Sequence, residues 1–161
     1  MSHSASEVIE KLVSGGSLQV KVKKVSETAI LPTKATEGSA GFDLYADIDK
    51  EALIHPHDTL LLSTGLAFEI PKGYFGAIYP RSGISSKRGV RLANCVGVID
   101  SDYRGVVGLP MHNDCDSSRY VKPHERVAQI IFQKYDEVEL IETNELSETD
   151  RGTGGFGSTG E

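Results

Sequence analysis

The chain has 161 residues, 39% hydrophobic and 25% charged, which is the balance of one globular domain with a substantial core. A formal charge of −6 argues against a nucleic-acid binder, whose affinity would come from a basic face tracking phosphates. No apolar stretch reaches the roughly 18 to 20 residues that span a bilayer, and the N-terminus lacks a basic region followed by an apolar signal core, so no membrane partner and a cytoplasmic location are expected.

Residues 1–17 read as an appendage. They read either as disordered or as a short helix that Ser6 caps, whose apolar positions Val8, Ile9, Leu12 and Val13 share a face, with Gly15-Gly16 as its end. From Leu18 the pattern changes to short alternating or wholly apolar runs: Leu18-Val20-Val22, Leu60-Leu62, Leu66-Phe68-Ile70, Phe75-Ala77-Tyr79, Val96-Val98, Val127–Ile131 and Val138–Leu140. Each predicts a strand. Turn signals separate them, among them Glu37-Gly38-Ser39, Pro71-Lys72-Gly73 and Lys122-Pro123-His124-Glu125. Many short strands at this spacing predict an all-β, jelly-roll-like barrel or sandwich, with one short helix over 82–87. The domain core is read as 18–150, followed by a glycine-rich C-terminal arm, 151–161. Cys95 and Cys115 are too few for a disulfide framework and lack CxxC spacing, so neither is given chemistry; the five histidines are scattered and receive no role.

Five segments hold side chains suited to chemistry. In Ala40–Ala46, Asp43 sits between apolar neighbours at strand spacing; pointed inward, it needs an arginine or a magnesium-bound water as partner. In Pro80–Ser85 a strand runs into Arg81, Ser82 and Gly83 where the helix begins, so free N–H groups and a guanidinium converge as an anion cradle. A plain turn with a solvated arginine accounts for the same residues. In Gly97–Gly105 an apolar strand stops at Asp100 and Gly105 reopens one, describing a hairpin with a carboxylate and Tyr103 at its mouth. Taken alone, Asp100, Ser101 and Asp102 read first as turn formers. Pro110 falls inside the strand expected after Gly105 and predicts an edge, a bulge or an early strand end there. Arg126–Ile131 places Arg126, Ala128 and Ile130 on one strand face and Val127, Gln129 and Ile131 on the other, with a surface ion pair the simplest account of Arg126 and buried hydrogen bonding that of Gln129. The tail, Arg151 to Glu161, joins a forked cationic donor, the ring of Phe156 and glycines that let backbone amides approach an anion, although composition alone reads first as a disordered terminus. Gly152, Gly154 and Gly157 match GxGxxG, but no strand and helix flank them, so a dinucleotide fingerprint is rejected.

These segments, in this order, resemble the five motifs of the trimeric dUTPases, deoxyuridine 5′-triphosphate nucleotidohydrolases, across essentially Leu18 to Gly160. The resemblance implies a homotrimer whose active sites are shared between subunits, and hydrolysis of dUTP to dUMP and pyrophosphate with Mg2+, which limits uracil incorporation into DNA and supplies dUMP for dTMP synthesis. It implies Asp100 as the base that activates water, and Tyr103 under the deoxyribose, disfavouring a 2′-hydroxyl. The backbone around Asn94, Gly97, Val98 and Ile99 would read uracil, while Arg81, Ser82, Gly83 and Gln129 hold phosphates. Asp43 would act indirectly, through the metal's water shell or by fixing the phosphate loop. In the tail, Arg151 would meet the γ-phosphate, Phe156 would stack on uracil, and Gly157, Ser158 and Thr159 would complete the cover over a neighbour's site. Two other readings compete. A dCTP deaminase-type enzyme shares the β fold, but Asp100 and the full tail favour hydrolysis. A nucleotide-sensing or partner-binding β-trimer would use the 1–17 appendage as its contact surface.

Overall fold

A computed structural model describes residues 17–155, and most apolar runs of the sequence become strands in it. In chain order these are β1 (Lys21–Lys24), β2 (Phe42–Tyr45), β3 (Ala52–Ile54), β4 (Thr59–Ser63), β5 (Leu66–Glu69), β6 (Tyr74–Pro80), β7 (Val90–Leu92), β8 (Gly97–Ile99), β9 (Gly108–Asn113), β10 (Arg119–Val121) and β11 (Arg126–Lys134). A single helix among the described residues, α1 (Ser82–Arg88), interrupts them. The helix expected within 1–17 falls on residues outside the described ones, apart from Ser17, and so do Phe156, Gly157, Ser158 and Thr159. None of the described helices is long and apolar enough to cross a membrane.

All pairings are antiparallel. They build a four-stranded sheet β2-β11-β6-β8, a three-stranded sheet β4-β9-β7, and the pairs β1-β5 and β10-β3. Among the described residues no sheet closes on itself, so the layered sandwich is the form adopted and the barrel is not. The inner faces meet in one core that includes Leu44, Ile54, Leu62, Leu66, Leu92, Leu109, Met111, Val127 and Ile130, all buried. Burying each such Leu or Ile is worth about 1.5–3 kcal/mol. Asn113 is the polar member of this interior. Its Nδ2 lies 2.9–3.1 Å from the carbonyls of Ile54, His55 and Ser117, and its Oδ1 accepts from Cys115 N at 3.0 Å. It therefore ties the β3 loop to the turn before β10 without leaving a buried polar atom unpaired.

Four expectations change. The run Val138–Leu140 forms no strand: Val138 is 79% and Leu140 94% exposed, with Ile141 and Leu146 equally bare. A strand needs an edge to pair with, and among the described residues no strand pairs with this run. The segment Gly97–Gly105 is not a paired hairpin, because β8 pairs with β6 whereas β9 pairs with β4 and β7. The turn instead carries the chain from one sheet to another. Pro110 sits in β9, the central strand of its sheet, opposite Leu61. Its carbonyl faces away from β4 and accepts from Ala93 N at 2.8 Å, so its missing N–H also points to that side, one position beyond the last β7 pair, Leu92↔Met111. The β4 ladder loses nothing. Finally, the register of β11 against β2 shifts between Arg126 and Ala128, a β-bulge that breaks the expected alternation.

Candidate active site

The bulge decides which residues meet. Gln129 lies directly opposite Asp43, so the two side chains share a face. One extra residue at the start of β11 brings Arg126 to that face, instead of the face of Ala128 and Ile130 where strict alternation placed it. Arg126 Nη1 then reaches Asp43 Oδ2 at 3.1 Å, and Arg81 Nε reaches Asp43 Oδ1 at 2.7 Å. Asp43 is buried, and two guanidiniums are the partners that its burial requires. Arg81 Nη1 also donates to Arg126 O at 3.1 Å, and Gln129 Nε2 donates to Pro80 O at 3.1 Å. Strands β2, β6 and β11 are thus cross-tied at one end of their sheet.

Asp43, Arg81 and Gln129 border a cleft of about 300 Å³, lined also by Ser39, Ala40, Gly41, Ser82 and Gly83, with Arg126 paired to Asp43. Two arginines against one carboxylate leave a net positive charge there. The amides of Ser82 and Gly83 open α1, where N–H groups have no intrahelical acceptor. An anion with several oxygens suits this donor set. Sequence reasoning missed Arg126 as a member of the site; period-two spacing carries no sign of a bulge.

The remaining candidates gather elsewhere. Ile99 pairs with Gly76, so Asp100 stands near the Phe75 end of β6, whereas Arg81 follows its other end. At about 3.3 Å per residue the two are roughly 20 Å apart. Asp100 lines a separate open cleft of about 910 Å³ with Lys21, Glu69, Phe75, Arg104 and Tyr135. Lys21, hydrogen-bonded to Glu69 at 2.7 Å, holds that carboxyl below its usual range through the bond and its charge. Strand β8 forms an outer edge of its sheet, with Val98 exposed, and its outward backbone groups have no strand partner among the described residues. Asn94 folds back over Gly97, where an added Cβ would lie 3.2 Å from its Nδ2. The Tyr103 ring rests on Gly105, and its hydroxyl donates to Val106 O at 3.1 Å. An added Cβ at Gly105 would stand 2.4 Å from the phenol oxygen, so only glycine accommodates this seat. Arg151 is exposed, lines neither cleft and donates from Nε to Gly154 O at 3.0 Å. Both cysteines are free thiols, Cys95 exposed and Cys115 partly buried.

Among the described residues no three His, Cys, Asp or Glu side chains converge where a cation could sit. Asp43, with each oxygen engaged by an arginine, does not make a metal cage. The donor set fits a phosphate-rich anion and not a resident metal.

The layered all-β fold, with a cationic cleft at one end of β6 and a carboxylate-and-tyrosine turn at the other, defines a jelly-roll-like protein. The family model for dUTPase matches residues 27–160. Deoxyuridine 5′-triphosphate nucleotidohydrolases of Nautilia profundicola and Finegoldia magna are each 43% identical over 143 residues, covering 89% of this chain and 99% of the relative. The solved Staphylococcus bacteriophage 80alpha dUTPase with dUPNHPP superposes with a TM-score of 0.81 at 27% identity, over 89% of this chain and 99% of that one. The chain belongs to the dUTPase family.

Proposed function

We propose that the protein hydrolyses dUTP to dUMP and pyrophosphate in sites that two or more subunits of a homotrimer complete together. The observation that carries this reading is the placement of Arg81 and Asp100 at opposite ends of β6, roughly 20 Å apart at strand rise, in a chain whose relatives are nucleotidohydrolases. One copy offers the phosphate cleft, and a second presents Asp100, β8 and Tyr103 to it.

Hydrolysis of a phosphate anhydride asks the protein mainly to position water and neutralise charge. Arg81, Gln129 and the amides of Ser82 and Gly83 hold the triphosphate, with Asp43 fixing Arg81 and Arg126 so that they arrive oriented. Asp100 of the second copy orients a water and accepts its proton as the water oxygen bonds to the α-phosphorus and the α–β anhydride bond breaks, releasing pyrophosphate. The outer edge of β8 with Asn94 reads uracil, and Tyr103 closes the space that a 2′-hydroxyl needs. Mg2+ enters as part of the substrate, carried by the phosphate oxygens and water. Residues 18–150 form the catalytic domain, and 151–161 an arm that brings Arg151, Phe156, Gly157, Ser158 and Thr159 over a neighbour's site, excluding bulk water until products leave. In the cell the reaction would keep uracil out of DNA and supply dUMP.

One assay tests the reading. Incubated with dUTP, dCTP, dTTP or UTP and magnesium, the protein should release pyrophosphate from dUTP alone, and Asp100→Asn should lose that activity. Ammonia from dCTP, or binding of dUTP without turnover, would overturn it.

A further inference from the structure

Gly41 immediately precedes β2 and lines the phosphate cleft, yet it offers no side chain to a ligand. Its contribution lies in what its bare Cα admits. A Cβ built there would stand 2.6 Å from Gln129 Oε1 and 3.4 Å from that side chain's Cβ and Cδ. The carboxamide of Gln129 is therefore laid across Gly41, while its Nε2 donates to Pro80 O at 3.1 Å, the carbonyl just before Arg81. With one N–H spent on Pro80, the second N–H of the same nitrogen is left for an anion in the cleft. The obstructing atom is the tip of a side chain and not backbone, so a methyl group at position 41 would be accommodated by moving the amide. The fold yields little, and the donor is lost.

We infer that Gly41 is a positioning residue for the phosphate cleft, acting by seating the Gln129 amide between β2 and the Pro80 carbonyl. The inference rests on the reading of this cleft as the triphosphate site. It separates Gly41 from Gly38, which lies in the same connection and has open space where a Cβ would go.

The test is a double-mutant cycle on the full-length protein with Gly41→Ala, Gln129→Ala, the double variant and Gly38→Ala. Turnover of dUTP, inhibition by pyrophosphate and thermal melting are measured for each. Gly41→Ala should lower kcat/KM and pyrophosphate affinity by roughly 10- to 100-fold, the range for one hydrogen bond to a charged group, with melting nearly unchanged. In the Gln129→Ala background it should cost less than about 2-fold more, because the group it displaces is already gone. Gly38→Ala should match wild type. Independent, multiplicative losses, or a Gly41→Ala protein as active as wild type, would overturn the inference. If Gly41→Ala does not fold, Gln129→Ala and the double variant are compared directly; similar kcat/KM supports the inference and a further large loss overturns it. Should wild type fail to hydrolyse dUTP, the functional reading falls, and pyrophosphate binding by calorimetry still tests Gly41.

Discussion

Asp43 accepts from Arg81 Nε at 2.7 Å through one oxygen and from Arg126 Nη1 at 3.1 Å through the other, so a single carboxylate sets two guanidiniums, one from the cap of α1 and one from β11. Asp43→Asn keeps the shape and removes the counter-charge. With the arginines partly exposed, the stability loss should be about 1–3 kcal/mol, below that of a fully buried pair. The kcat/KM for dUTP should fall by roughly 10- to 100-fold through misplaced Arg81. Steady-state kinetics and denaturant melts on one preparation check both; unchanged kinetics would show that Arg81 needs no such anchor.

The separation of Arg81 from Asp100 predicts complementation. Arg81→Ala and Asp100→Asn homotrimers should each be nearly inactive, whereas mixed trimers contain sites that draw Arg81 from one variant and Asp100 from the other. Random exchange at equal amounts restores about a quarter of the sites, given a closed ring of identical interfaces. Co-refolding followed by a turnover assay reads this out. Activity that stays at the level of the separate variants would place both residues of a site in one chain.

Much of this arrangement is legible in sequence, and the exceptions have physical reasons. The alternation of Phe75, Ala77 and Tyr79 marks β6, and the turn into Arg81-Ser82-Gly83 marks the start of α1. The demand of an inward Asp43 for an arginine is legible too, since burial of an unpaired carboxylate is costly. Arg126 is not, because a bulge changes a residue's face without changing its neighbours in sequence. Nor is the place of Pro110, which depends on where β7 happens to stop. The pairing of β8 with β6, rather than with the next strand along the chain, is a long-range choice that no local pattern encodes.

Gly105 should govern sugar discrimination through Tyr103. In Gly105→Ala the new Cβ would occupy space within 2.4 Å of the phenol oxygen, so the ring must leave its seat and its bond to Val106 O. The preference for dUTP over UTP should drop by roughly 10-fold, as expected when a pocket wall retreats by about one group. Competing-substrate assays measure the ratio directly, and a preserved ratio would detach Tyr103 from the sugar.

Asn113→Ala removes an amide that links three backbone carbonyls and leaves those buried acceptors unpaired. The cost should be about 2–4 kcal/mol, a melting shift on the order of 4–12 °C for a domain of this size. Since Asn113 borders neither cleft, KM for dUTP should hold at temperatures where the variant is folded. A stable variant would mean that water replaces the amide without loss.

Truncation after Asp150 deletes the whole arm while leaving every strand and helix of the fold intact. Turnover should fall by at least roughly 10-fold, the scale expected when a closing element no longer excludes water. Sedimentation of the truncated protein should match the full-length chain. Full turnover would show that the arm is no lid.

The bare run from Val138 to Leu146 has a thermodynamic consequence. In the homotrimer proposed above, covering these apolar side chains with another subunit would make part of the folding free energy association free energy. The melting midpoint should then climb with protein concentration, and extreme dilution should unfold the chain under conditions where a concentrated solution stays native.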